Sequence, residues 1–307
     1  MKKGIHYWAL PQKLNLREKM RFAKKMGFDG LELVILETGE LRLDSNEDEL
    51  EAIRRAAQEE DIEIIALSNS LNWKCSLTSD NDVVRDKAKN MIIRQLQIAS
   101  SLKVEVILAL PGFVGMDFIT NDLHPAVSTH DGINYHPGHE VIHYELAYQR
   151  SLAAFREIAP LAEQMNITIG IENIWNQFML SPIEMRNFID QIGSEYVQVY
   201  FDVGNVLPYG HPEQWIRILG SRIKRVHVKD FIHGCPSLKG FVNLLCGDID
   251  FTNVMNALRE IDYNSWITAE VNEKPGFPEF TAQSTSLALD QMMKLGSGRE
   301  SNDYVCD

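Results

Sequence analysis

Two segments, Thr168-Ile169-Gly170-Ile171-Glu172-Asn173 and Val197-Gln198-Val199-Tyr200-Phe201-Asp202-Val203-Gly204-Asn205, decide the fold and point to the chemistry. Each is a short apolar run, rich in β-branched or aromatic residues, that stops on an acid. Such runs suit strands covered on both faces, as in a parallel sheet. A carboxylate at the end of a buried strand gains nothing from apolar packing and is costly to bury alone. It therefore wants a partner, and a metal ion is one. The pattern recurs in Arg225-Val226-His227-Val228-Lys229-Asp230 and in Trp266-Ile267-Thr268-Ala269-Glu270-Val271. Four consecutive strand ends thus offer Glu172, Asp202, His227 and Glu270.

Outward from these segments the chain alternates strand-like and helix-like stretches. Leu16, Met20, Ala23 and Met26 fall at helical spacing, and Gly27 follows as a helix-ending glycine. The segment from Glu47 carries Asp44, Ser45 or Asn46 as its N-cap. Pro182, preceded by Ser181, and Pro212 read as first helical residues. Lys3 to Leu10 reads as the first strand, and Thr285 to Lys294 as the last helix. Eight strand and helix pairs at a period of about 25 to 45 residues imply parallel strands with right-handed crossovers. An α/β fold closed as one (β/α)8 TIM barrel is the simplest architecture with eight such units. It is expected over residues 1–296, with a tail at 297–307. Residues 113–140 break the rhythm as a long inserted loop after the fourth strand, and His124, His130, His136, His139 and His143 lie in or just beyond it. Long irregular insertions in compact domains are usually functional or disordered.

The chain has 307 residues, with 30 basic and 43 acidic, for a net charge of −13. That balance argues against a nucleic-acid surface or an anionic membrane as partner. Cys75, Cys235, Cys246 and Cys306 show no metal-ribbon or disulfide spacing, so a reducing cytoplasm is expected. No run reaches the roughly 18 apolar residues of a membrane-spanning helix.

Active sites of (β/α)8 barrels lie at the carboxyl ends of the strands, so Glu172, Asp202, His227 and Glu270 are expected to meet at one mouth. Three carboxylates and one imidazole suit one divalent ion, Mn2+ in the first place, with Mg2+, Co2+ or Zn2+ as alternatives. Trp8 and Trp175, with Trp73, are candidates to stack on a sugar face. Glu32 and Asn69, near the ends of strands two and three, are candidates to hydrogen-bond hydroxyls, and His211 to line the mouth. Lys229 reads either as a holder of phosphate or hydroxyl or as a partner of Asp230.

The ordered motifs Gly27-Phe28-Asp29-Gly30-Leu31-Glu32, Gly170-Ile171-Glu172-Asn173, Phe201-Asp202-Val203-Gly204-Asn205, His227-Val228-Lys229-Asp230, Gly247-Asp248-Ile249-Asp250-Phe251 and Ala269-Glu270-Val271 resemble the xylose isomerase-like TIM barrel superfamily of sugar isomerases and epimerases. The resemblance implies that Glu172, Asp202, His227 and Glu270 bind the metal, and that Glu172 and Glu270 act as acid and base across the sugar. The expected enzyme removes a proton α to the carbonyl of a keto-sugar through an enolate. Two departures stand out. Asn205 takes a position where ketose 3-epimerases often have histidine, and Leu245-Cys246-Gly247 replaces a Gly-Glu-Gly common in sugar-phosphate members. The alternative is a lyase that finishes by β-elimination, a polyol dehydratase or a C-glycoside deglycosidase catalytic subunit acting on a 3-keto-glycoside, with His143 as base or acid. Either way the expected substrate is a small carbohydrate, and the expected assembly an oligomer, with a small partner subunit in the deglycosidase case. A repair endonuclease on this fold would need a basic groove, and a sugar-binding protein without turnover is the remaining class.

Overall fold

The computed structural model describes residues 1–116, 140–235, 238–274 and 276–295, together with the backbone of Val127–Ser128 and Asn134–Tyr135. His124, His130, His136, His139 and the tail 297–307 lie outside the described residues.

Eight parallel strands close into a barrel in which each pairs with its neighbours in sequence and the last returns to the first. They are β1 (Lys2–His6), β2 (Gly30–Ile35), β3 (Glu63–Asn69), β4 (Val106–Ala109), β5 (Thr168–Glu172), β6 (Val197–Asp202), β7 (Ile223–Val228) and β8 (Trp266–Ala269). The helices between and after them are α1 (Leu16–Lys25), α2 (Glu47–Glu59), α3 (Asp82–Leu102), α4 (Tyr144–Met165), α5 (Pro182–Ile192), α6 (Pro212–Leu219), α7 (Phe251–Glu260) and α8 (Pro278–Lys294). The expected (β/α)8 architecture is therefore present. Val127–Ser128 and Asn134–Tyr135 form a small antiparallel ribbon within the long connection before α4.

Local chemistry accounts for most boundaries. Asn46 is the N-cap of α2 and forms a reciprocal capping box with Glu49, as Asn15 does with Glu18 in α1. Gly27 follows α1 at φ +86°, where a side chain would be strained. Two boundaries differ from expectation. β1 ends at His6, because Tyr7–Ala9 turn into a short 3-10 helix capped by the His6 side chain. α8 begins at Pro278, seven residues before the expected start. Proline is preorganised for a first helical turn, so the helix opens at the Phe277-Pro278 step.

Two apolar clusters result. The larger lies between the strands and the helix ring. The smaller fills the barrel and extends over its carboxyl end, with Ile65, Val106, Leu108, Tyr200 and Trp266 inside. Gly30 makes room for it, since a Cβ there would lie 2.2 Å from Ile65 and 2.9 Å from Trp266. The amino end of the barrel is thus plugged by bulky apolar groups. Polar side chains gather at the carboxyl end.

Candidate metal centre

The register that closes the barrel also aligns the acids. Asp202 pairs directly with His227, and Thr268 pairs with His227 from the other side. Residues two apart on a strand share a face, so Gly170 and Glu172, Tyr200 and Asp202, Arg225 and His227, and Thr268 and Glu270 are inward-pointing pairs. The amino-terminal member of each pair packs lower in the barrel; the carboxyl-terminal one reaches the mouth.

Glu172, Asp202, His227 and Glu270 each contribute an atom to a group whose members lie within 4.8 Å of one another. His227 Nδ1 stands 3.4 Å from Glu172 Oε1, 3.8 Å from Asp202 Oδ2 and 3.7 Å from Glu270 Oε2. On its other side, His227 Nε2 meets Glu32 Oε2 at 2.8 Å. A carboxylate behind the ligand imidazole fixes which nitrogen faces the centre, a common arrangement in metal sites. Asp202 Oδ2 is buried, and its near polar neighbour outside the four is the Lys229 ammonium at 2.9 Å. Three buried or half-buried carboxylates converging on one imidazole leave more negative charge than a single ammonium balances, which fits a divalent cation. These four residues can hold a metal ion.

The electrostatics of the four groups diverge. Burial, with Glu270 and Asp202 nearby, pushes the Glu172 carboxyl up to about 7. Burial likewise raises Asp202. Glu270 moves the other way: burial would raise it, but Lys229 and then His227 hold it well below the usual carboxylate range. Burial would also lower His227, yet Glu32 and Glu172 more than offset this and hold its ring well above the ordinary imidazole value.

The remaining expected residues divide. Lys229 belongs to the centre and not to Asp230: its ammonium lies 2.9 Å from Asp202 Oδ2 and also bonds Glu270 Oε2. Asp230 instead accepts from the backbone of Phe231, Gly247 and Ile249. Glu32 is fully buried beneath the centre, bonded to His227 and to the Tyr200 hydroxyl, so it braces a ligand and leaves no oxygen open to solvent. Asn205 is buried and ties the loop together, with its amide donating to the Asn173 carbonyl at 3.0 Å and its backbone N–H to Asp202 Oδ1 at 2.8 Å. Asn69 is buried and caps the short helix Ser70–Trp73. Trp175 is buried and stacks on Trp73, with ring centroids 4.9 Å apart. Trp8 is exposed beside His6. His143 and His211 are exposed residues preceding α4 and α6, and neither side chain caps its helix.

Three contributors escaped the sequence reading. Asn173 clamps the end of β6, its side chain bonding both the N–H and the carbonyl of Asp202 at 2.8 Å. Tyr200 donates to Glu32, and His6 bonds Ser68 Oγ at 3.2 Å with its ring edge-on to His227. Tyr200 carried a usable signal, since it stands two residues before Asp202 and so faces the same way. His6 likewise ends a strand.

The family model of the xylose isomerase-like TIM barrel matches residues 20–292, and the chain belongs to that family. Among curated proteins it is similar to the L-ribulose-5-phosphate 3-epimerase UlaE of Salmonella paratyphi A, 24% identical over 269 residues that cover 85% of this chain and 83% of the relative. It is also similar to a putative L-ribulose-5-phosphate 3-epimerase, SgbU, of Haemophilus influenzae, 22% identical over 95% of this chain and 97% of the relative. Among solved structures, D-psicose 3-epimerase in the presence of D-fructose matches with a TM-score of 0.73 and 19% identity, covering 97% of this chain and all of the other. The 3-keto-D-glucoside 4-epimerase YcjR of E. coli matches at 0.69 and 16% identity, covering 95% of this chain and 98% of that one. The chain is an enzyme of the sugar isomerase and epimerase class.

Proposed function

We propose that this chain is a divalent-metal-dependent epimerase or isomerase of an unphosphorylated keto-sugar, with Glu172, Asp202, His227 and Glu270 holding the ion. The observation that carries this reading is the convergence of Glu172, Asp202, His227 and Glu270 within 4.8 Å of one another at the barrel mouth. Within the cluster the two glutamates are pushed in opposite directions, Glu172 upward by burial and Glu270 downward by Lys229 and His227. Paired groups whose surroundings push them apart suit the roles of acid and base. Glu270 then takes the proton α to the ketone, and Glu172 holds the proton that is returned. A bound divalent ion supplies Lewis-acid stabilisation of the oxygen that gains charge when the proton leaves. The ion that best fits three carboxylates and an imidazole is Mn2+, with Mg2+, Co2+ and Zn2+ as competitors.

The loop after β7 supports a substrate without phosphate. The backbone N–H groups of Cys246, Gly247, Asp248 and Ile249 all donate within the loop, to Asn243, Asp230, Phe231 and Asp230 respectively. A phosphate there would find none of these four donors free. This supports a free sugar, such as those named for the D-psicose 3-epimerases, over the 5-phosphate named for the L-ribulose relatives. Glu270→Gln keeps the shape of the site but removes the base. In 2H2O, wild type should place deuterium at the epimerised carbon of an unphosphorylated ketose. Glu270→Gln should be slower by about 10²- to 10⁴-fold. A variant as fast as wild type would remove Glu270 from the chemistry.

A second reading is β-elimination from a 3-keto-glycoside. Trp73 and Trp175 stack together with Phe113 tilted against Trp73, an aromatic wall beyond the ends of β3, β4 and β5. Such a wall suits an apolar aglycone beside the sugar. Trp8, Leu180, Tyr209, Ile232, Leu245 and Phe277 expose large apolar groups on the same face. This rim supports the expected covering of the mouth by another copy or a small subunit. Release of a phenol from a 3-keto-aryl glycoside, stopped by His143→Ala with metal still bound, would favour elimination; epimerised sugar alone would favour the first reading.

A further inference from the structure

We propose that Lys229 is a built-in competing cation: its ammonium draws on the same two oxygens as the divalent ion, and must withdraw from them for the ion to bind. The inference rests on the reading of the four-residue cage as a metal site. Lys229 Nζ lies 2.9 Å from Asp202 Oδ2 and bonds Glu270 Oε2. Those are the atoms that face His227 Nδ1 at 3.8 and 3.7 Å. A metal ligated by His227, Asp202 and Glu270 therefore meets the ammonium across shared ligands.

Two features show that this lysine is seated there by the fold. Its stem runs against Gly204, where a Cβ would lie 2.4 Å from Lys229 Cγ, so the loop after β6 keeps a residue without a side chain at the crossing. The Phe241 ring lies 5.0 Å from the ammonium on another side. Only 11% of the side chain is exposed. An ordinary mouth lysine would keep its ammonium in water, because that group is strongly hydrated. Here the three carboxylates compensate for the lost hydration, and the ammonium neutralises part of their mutual repulsion. A divalent ion satisfies the same carboxylates more strongly, and two cations sharing two oxygens at these distances repel. Metal uptake is thus coupled to release of an ammonium next to the ligands Asp202 and Glu270.

Chelator-treated protein titrated with Mn2+ alone tests this by calorimetry. Lys229→Met should bind Mn2+ about tenfold or more tightly than wild type, because a like charge has gone from beside the ion. Lys229→Arg, which keeps the charge, should stay nearer wild type than Lys229→Met does. Lys229→Gln carries the same expectation as the Met variant, should that one fail to fold. In the wild-type protein, Mn2+ should also raise the labelling of Lys229 by an amine reagent, read by mass spectrometry. Neutral variants that bind Mn2+ no more tightly than wild type, or labelling that Mn2+ leaves unchanged or lowers, would overturn the proposal while leaving the cage intact. Wild type that takes up no Mn2+, or Asp202→Asn that binds it as wild type does, would overturn the metal reading and the competition with it.

Discussion

Lys19 lies fully buried in α1, its ammonium 3.8 Å from the centre of the Tyr7 ring and without a hydrogen-bond partner. Burial lowers its pKa to about 8, against the pull of Glu273 and Glu40. The unfolded chain keeps an ordinary lysine near 10.5, so between about 8 and 10.5 the folded protein binds fewer protons than the unfolded one. Stability attributable to Lys19 therefore rises with pH across that window, and the cost of its charge is present in full below it. Lys19→Met gives up a cation–π contact but no hydrogen bond. It should stabilise the fold by about 1 kcal/mol at pH 7. That advantage should fade as pH approaches 10.5. Urea unfolding of both proteins at pH 7 and pH 10 reads the difference, and a gap independent of pH would show that the ammonium is not the cause. Glu32 marks a limit of residue-level reading. Its strand-end position was visible in sequence, but the pairing of β2 with β3 shifts register between Leu31 and Glu32. A one-residue offset changes where a side chain lies against its neighbours, and no local pattern announces it. Glu32 consequently sits under His227.

Among the elements, the seam between β3 and β4 is the thinnest in the barrel. It has a single register pair, Leu67 with Ile107, where the β1–β8, β4–β5 and β5–β6 seams have four each. Gln95 from α3 spans the seam, its buried amide donating to Leu67 O at 2.6 Å and Leu108 O at 3.0 Å. A helix side chain thus supplies donors that the ladder lacks there. Gln95→Leu preserves bulk and strands both carbonyls, which should cost about 1–3 kcal/mol. Hydrogen exchange should quicken in β3 and β4 before it does in β5 and β6. Uniform protection across the four strands would mean that the amide is dispensable. Element identity was largely legible because several helices have their own start signal, such as Asn46 before Glu47 and Ser181 before Pro182. α8 extends beyond its apolar periodicity because its first turn, Pro278-Glu279-Phe280, exposes Phe280 and so lacks an inward apolar period.

At the scale of the whole molecule the barrel is polarised. Of twelve exposed large apolar side chains among the described residues, all but Leu287 lie in loops after strands or in the first turn of the helix that follows. The charge-bearing cage opens on that same face. No helix among the described residues is long and apolar enough to cross a membrane. Because the cage forms only when four strands are in place, an ion binds the folded chain and hardly the unfolded one. At a concentration 100 times its dissociation constant it should add about 2.7 kcal/mol of stability. That corresponds to a melting temperature higher by about 5 °C, lost on chelation and absent in Asp202→Asn. Equal melting of the wild type with Mn2+ and with chelator would argue against the cage. Local order sufficed to determine the alternation of strands and helices, the closure into eight units, and four strand-end donors, because each depends on periodicity and punctuation within some forty residues. Only the tertiary structure decided that Glu32 braces His227, that Asn173 and Asn205 lock the loop beside Asp202, and that Lys229 turns from Asp230 to the cage. Those choices depend on inter-strand register and on which buried charge lies nearest, and both are set by closure of the barrel.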